Sequence, residues 1–197
     1  MEISIRKAQT ADARRIAQIH LTEINQGFLS SLGLNFLEVL YSFLIEDSNS
    51  FTLIAQKQGE TIGFVCGTTS LNRVYLKLVY KKLPLFLITL APKLLQPKNI
   101  RKILETLLYP KKIPQNLPLA EILSIAVTHK YQRMGIGTEL FNLCVGSLKK
   151  VGIVEVKIIV GENLINSQKM LSSIKAQKVG TFNVHHGAKS FIYISRA

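Results

Sequence analysis

Apolar and polar residues alternate from Ile3 to Lys7, which predicts an opening strand with one buried face. Thr10 then precedes Ala11 to Ile19, an N-capping residue leading into a helical run. Ile16, Ile19 and His20 fall at spacings of three and four and share one face of that helix. Gln26 to Ser31 reads as a break. Asn35 to Glu46 predicts a second helix, with Phe36, Leu37, Leu40, Tyr41 and Leu44 as its apolar stripe. Phe51 to Ala55 and Thr61 to Thr68 predict two strands of a hairpin, with Gly59 in the turn.

The second half is as regular. Leu119 to Val127 predicts a strand, Thr128 to Ile136 a loop, and Gly137 to Val151 an amphipathic helix with Leu140, Leu143, Cys144 and Leu148 on one side. Val154 to Val160 is almost continuously apolar, the pattern of a strand buried on both faces. Asn166 to Lys175 predicts another helix. Val179 to Val184 and Ser190 to Ser195 predict two closing strands, joined through His185 and His186. The result is a mixed α/β fold in one domain over residues 1–197, with no internal repeat.

Between the halves, Ser70 to Pro118 breaks the pattern. Its Leu and Ile residues recur at helical spacing but are cut by Pro84, Pro92, Pro97, Pro110 and Pro114, which predicts two or three short amphipathic helices. It carries ten Lys or Arg against a single acid, Glu105, and so holds nine of the chain's thirteen net positive charges. A solvated helical cover is the plain expectation for this basic insertion, about 70–118. The alternatives are a dock for an anionic membrane surface or for an acidic carrier protein, or a site for an anionic sugar or nucleotide substrate. Nucleic acid is disfavoured, because no binding module or base-stacking array of aromatics is visible. An exposed greasy insertion also admits a homodimer.

Cys66 and Cys144 both sit in apolar runs and read as reduced core thiols, and so as a cytoplasmic location. The start lacks an apolar signal core. The greasiest window, Leu83 to Leu95, contains two prolines and a lysine and is too short to cross a bilayer. No His, Cys or acid cluster has metal-ligand spacing, so no metal is expected.

The residues with chemical content are Gln132-Arg133-Met134-Gly135-Ile136-Gly137-Thr138, between a strand and a helix. A phosphate needs several backbone N–H donors converging on one point. Glycine permits this, having no Cβ to block close approach and tolerating unusual φ and ψ. The following helix N-terminus adds about half a positive charge. Arg133 adds a full one. No Gly-Lys-Ser or Gly-Lys-Thr follows, and the third glycine of a dinucleotide fingerprint is absent. The plain alternative is a tight strand-to-helix turn.

The run Glu121-Ile122-Leu123-Ser124-Ile125-Ala126-Val127, followed by Tyr131 and the loop from Gln132 to Thr138, resembles the signature of the GNAT acetyltransferases. Gln132, Gly135 and Gly137 fill that family's pyrophosphate motif. The order of strands and helices is also similar, outside Ser70 to Pro118. The resemblance implies a GNAT fold, acetyl-CoA as co-substrate and transfer of its acetyl group to an amine acceptor. It implies that Ile125, Ala126 and Val127 run beside the pantetheine arm, with the backbone of Ile125 and Val127 bonding it. It also implies that Gln132, Arg133, Met134, Gly135, Ile136, Gly137 and Thr138 hold the pyrophosphate, and that Asn166 touches the arm. The segment Phe28 to Gly33 would form a wall of the acceptor site.

Glu121 stands eleven residues before Gln132 and matches the base of the histone-acetylating branch; the alternative is a strand-end carboxylate in solvent or paired with lysine. Where the family often carries a tyrosine acid, this sequence has Ser173. Ser173 would position a water, or the thiolate would leave unaided. His129, in the approach to the loop, reads as solvated. The remaining alternatives are a longer-chain acyltransferase on the same scaffold, a CoA-binding module without turnover, and a membrane or carrier adaptor led by the insertion.

Overall fold

The computed structural model describes residues 2–25, 28–78, 80–81, 116–185 and 188–197. Seven strands form one sheet: β1 (Ile3–Lys7), β2 (Ser50–Lys57), β3 (Glu60–Thr68), β4 (Glu121–Val127), β5 (Glu155–Gly161), β6 (Gln177–His185) and β7 (Ala188–Arg196). Their spatial order is β1-β2-β3-β4-β5-β7-β6. All neighbours are antiparallel except β4 and β5, which run parallel. The helices are α1 (Ala13–Glu23), α2 (Phe28–Ser31), α3 (Leu34–Glu46), α4 (Ile136–Lys150) and α5 (Ile165–Ser173), with a further helical stretch over residues 71–78. The mixed α/β architecture is the one the hydrophobic pattern predicts.

Each face of the sheet has its own core. On one face α1 and α3 bring Ile16, Ile19, Leu37 and Tyr41 against Phe64 of β3. On the other α4 brings Leu140, Phe141, Cys144 and Leu148 against Ile62, Val65, Ile122 and Val156. Each such side chain contributes about 1.5–3 kcal/mol by leaving water. Both cysteines are free and buried. Burial pushes the Cys66 thiol up to about 12 and raises Cys144 as well, so neither is a thiolate near neutrality.

The structure departs from the predicted pattern in a few places. Gln26 to Ser31 is not simply a break, because Phe28–Ser31 is a short helix. The Ser30 hydroxyl, bonded to the Ile24 carbonyl, ties that helix to the end of α1. On α4, Leu143 is exposed rather than buried, and Phe141 and Val145 take its place, which rotates the buried stripe. The N-cap before α1 is not Thr10. A capping box between Gln9 and Asp12 starts a 3-10 turn there, and Arg6 holds Asp12 with two bonds. The last predicted helix stops at Ser173, short of Lys175, which adopts a left-handed φ of 60°. Of the basic insertion, residues 79 and 82–115 lie outside the described residues, as do His186 and Gly187 of the closing hairpin. No helix of the described residues is long and apolar enough to cross a membrane.

β3 and α4 pack closely at Gly67. A Cβ there would lie 2.8 Å from Cys144 Sγ and 3.1 Å from Ile122 Cδ1. Gly67→Ala is therefore expected to lower stability by about 1–3 kcal/mol, read as a shift of the urea midpoint at constant slope.

Candidate active site

Strands β4 and β5 pair only at Glu121↔Lys157 and Ile122↔Ile158, and then part. A gap thus opens in mid-sheet toward their C-terminal ends. Its consequence is visible in β4, where Leu123, Ser124 and Ile125 are only partly buried although the strand is central.

A bulge at Leu123 decides what faces the gap. In the β3–β4 register Cys66 opposes Ser124 while Gly67 opposes Ile122, so Leu123 is the extra residue. Below the bulge, the Ala120 carbonyl accepts from Lys157 N–H of β5 at 3.0 Å. Above it, Thr128 N–H donates to Ile62 of β3 at 2.8 Å. Backbone groups alternate sides along a strand, so Ser124 and Ala126 bond toward β3 while Ile125 and Val127 turn toward the gap. The backbone of Ile125 and Val127 is thereby left to pair with an extended ligand. The Val127 carbonyl is already engaged by Gln132 Nε2 at 2.9 Å.

At the mouth of the gap a 3-10 turn (His129–Tyr131) leads into the glycine loop and α4. Gly135 caps the helix with φ 81°, and Arg133 has φ 61°. The first bond of the α4 ladder runs from Glu139 N–H to the Gly135 carbonyl at 3.0 Å. The amides of Ile136, Gly137 and Thr138 come before that ladder, at the positive end of a fifteen-residue helix. A Cβ at Gly137 would meet nothing closer than Met170 Sδ at 3.5 Å, an ordinary contact. Protein packing therefore does not demand a glycine there, whereas a ligand approaching the backbone would. Arg133, Met134 and Gly135 are exposed, and Thr138 and Gln132 partly so. Gln132 does not present its amide nitrogen to this space: besides Val127 it bonds Glu23 at the end of α1 at 3.0 Å, and Glu23 also accepts from His129 N–H at 3.1 Å.

The Met170 contact sets α5 beside the loop. Asn166, four residues earlier, lies one turn away on the same helix face and is exposed. Ser173 is exposed, and its hydroxyl donates to the Met170 carbonyl at 2.7 Å.

Glu121 lies at the closed end of the gap and is 5% exposed. Lys157 of β5 sits beside it, Nζ to Oε2 3.4 Å, and also donates to the Pro118 carbonyl at 2.6 Å. A buried ammonium requires such partners. Tyr75, from residues 71–78, is close enough that the carboxylate adds to the rise that burial imposes on its phenol.

Sequence reasoning missed a polar chain on the α1/α3 face. The Tyr41 hydroxyl bonds both His20 Nδ1 and, at 2.9 Å, Ser124 Oγ. His20 and Tyr41 were legible only as helix-face residues, and nothing in the β4 sequence announces the bulge that turns Ser124 toward them. Among the described residues no three His, Cys, Asp or Glu side chains are grouped to hold a metal.

The fold is shared with known acetyltransferases. The ribosomal-protein-S18-alanine N-acetyltransferase of Escherichia coli is 12% identical, with a TM-score of 0.60 over 99% of this chain and 94% of its own. An N-acetyltransferase from Staphylococcus aureus Mu50 is 12% identical, with a TM-score of 0.64 over 100% of this chain and 99% of its own. The yncA protein of Salmonella typhimurium, whose structure holds its cofactor acetyl-CoA, is 11% identical, with a TM-score of 0.62 over 100% of this chain and 94% of its own. No curated protein matches the sequence significantly. The splayed parallel pair and the glycine loop at a helix N-terminus thus belong to an acetyltransferase fold. Residues 106–172 match the model of the Acetyltransferase (GNAT) family, a span that holds β4, the loop, α4, β5 and nearly all of α5. That third of the chain is thus similar to the GNAT acetyltransferase family, and one neighbour of the same fold holds acetyl-CoA as its cofactor.

Proposed function

We propose that this chain transfers the acetyl group of acetyl-CoA to a primary amine by direct attack, without a covalent enzyme intermediate. The observation that carries the reading is the continuity of one surface. The helix-terminal amides of the glycine loop open directly onto the β4–β5 gap, whose β4 wall turns Ile125 and Val127 toward it. The loop takes the pyrophosphate, with Arg133 adding charge. The pantetheine arm pairs with Ile125 and Val127, flanked by Asn166. The thioester then lies near the foot of the gap.

A lysine-like amine of pKa about 10.4 is neutral in only about one molecule in a few thousand at pH 7, a handicap of roughly 4–5 kcal/mol. Glu121 acts as general base at the foot of the gap, through a water. The amine nitrogen attacks the carbonyl carbon, the C–S bond breaks, and the nitrogen's proton is carried away as the CoA thiolate leaves. The Ile125 amide meets the developing oxyanion. A thiol of pKa about 8.5 is a tolerable leaving group. Ser173, its own proton committed to Met170, holds a water near the sulfur.

Calorimetry with acetyl-CoA tests the site. Micromolar binding is expected, followed by release of free thiol when a panel of primary amines is added. A folded protein that binds no acetyl-CoA would sink the proposal.

A further inference from the structure

The chain His20–Tyr41–Ser124 ends at a hydroxyl that the reaction above leaves unused. Its first two members are buried among Ile16, Leu37 and Phe64, with Phe64 stacked on the His20 ring. An unpaired polar group in such a core costs about 1–3 kcal/mol, so the direction of each bond matters. Burial pushes His20 down to about 4, so the ring is neutral near pH 7, with one N–H and one bare nitrogen. Nε2 has no hydrogen-bond partner among the described residues. A buried orphan N–H is the rarer defect, which assigns the proton to Nδ1. Nδ1–H then donates to the Tyr41 oxygen, and the Tyr41 hydroxyl donates to Ser124 Oγ. The Ser124 proton is left to donate elsewhere.

The bulge determines where that proton can go. Leu123 and Ser124 both lie on the α1/α3 face, while Ile122 and Ile125 lie on the other. Ser124 stands just above the point where β5 leaves β4 and is partly exposed there. The next amide, Ile125 N–H, turns into the gap. A hydroxyl and the following amide therefore border the same space. It lies about 10 Å along β4 from Val127, at about 3.3 Å per residue, on the side of the gap away from the loop.

We propose that Ser124 Oγ–H is a second hydrogen-bond donor to the carbonyl oxygen of the bound acetyl thioester, beside the Ile125 amide, and that Tyr41 and His20 are positioning residues that aim it. The inference rests on the acetyl-CoA reading of the gap. No covalent bond changes at this donor, and its bond strengthens as charge gathers on the oxygen.

The test uses acetyl-CoA labelled with ¹³C at the carbonyl, bound to the full chain. Wild type, Ser124→Ala, Ser124→Thr and Tyr41→Phe are compared by calorimetry and by difference infrared spectroscopy of the C=O stretch. The bound stretch is expected below that of free acetyl-CoA in wild type and in Ser124→Thr. It should return toward the free value in Ser124→Ala and part of the way in Tyr41→Phe, with Kd little changed. With an amine in hand, Ser124→Ala should lower kcat by about 10²–10³ at unchanged KM for acetyl-CoA. A stretch that is the same in wild type, Ser124→Ala and Tyr41→Phe overturns the inference. If Ser124→Ala does not fold, Tyr41→Phe decides. A Tyr41→Phe stretch equal to wild type overturns the positioning roles. No binding by wild type overturns the acetyl-CoA reading itself, so the two failures are told apart.

Discussion

Gly135→Glu is expected to abolish measurable acetyl-CoA binding while the protein stays folded. Gly135 caps α4 in a left-handed conformation, φ 81°, and a Cβ there would meet no atom within 4 Å. The substitution therefore causes no clash. Its cost to folding is the strain of an L-residue at positive φ, about 1–2 kcal/mol. Its effect on binding is far larger. The helix end carries about half a positive charge, and its leading amides point where the pyrophosphate is proposed to sit. A carboxylate on that cap occupies the same space with the same sign of charge. Gly135→Ala separates the two effects, because it shares the strain without the charge. Thermal melting should show both variants folded and similarly shifted. Calorimetry should show Gly135→Ala binding acetyl-CoA within about tenfold of wild type, because strain shared by the free and the bound protein cancels from the affinity. Full binding by Gly135→Glu would remove the loop from the cofactor site.

The loop was legible because its chemistry is local. A glycine needed for positive φ, a helix start and a basic neighbour stand within seven residues, and each leaves a mark on the sequence. Most strands and helices were legible for the same reason; the errors fell at element ends, at the short helix Phe28–Ser31 and at the edge of one stripe, where Leu143 traded places with Phe141 and Val145. A lysine partner for Glu121 was one open alternative, but that Lys157 would be the one, and buried with it, was not legible. Lys157 interrupts the apolar run of β5, and only the parallel register with β4 brings the two charges together. The bulge at Leu123 was hidden too, since the run from Ile122 to Ala126 contains no glycine or proline to signal it. Yet that one extra residue decides which backbone groups face the gap and turns Ser124 toward Tyr41. The sequence carries such non-local facts only through the packing they produce. They concern the part of the site where the chemistry would occur rather than where the cofactor would be held.

Glu121→Gln is expected to reduce kcat by about 10²–10⁴ with acetyl-CoA binding unchanged, the range for loss of a general base. Glutamine keeps the size of the side chain and cannot accept the proton. The structure supplies a competing account, because Glu121 also neutralises a lysine that is 3% exposed. Removing one partner of a buried pair costs about 3–5 kcal/mol, because the other charge is left behind. On that account the variant loses stability, and activity falls only as far as folded protein is lost. Two measurements separate the accounts. The double variant Glu121→Gln, Lys157→Met removes both charges and should regain much of the lost stability in urea unfolding. If Glu121 is the base, the double variant stays inactive even when fully folded, and the rise of kcat/KM with pH that reports the base in wild type is gone from both variants. If Glu121 only balances Lys157, the double variant recovers activity with stability, and the proton leaves the amine by another route.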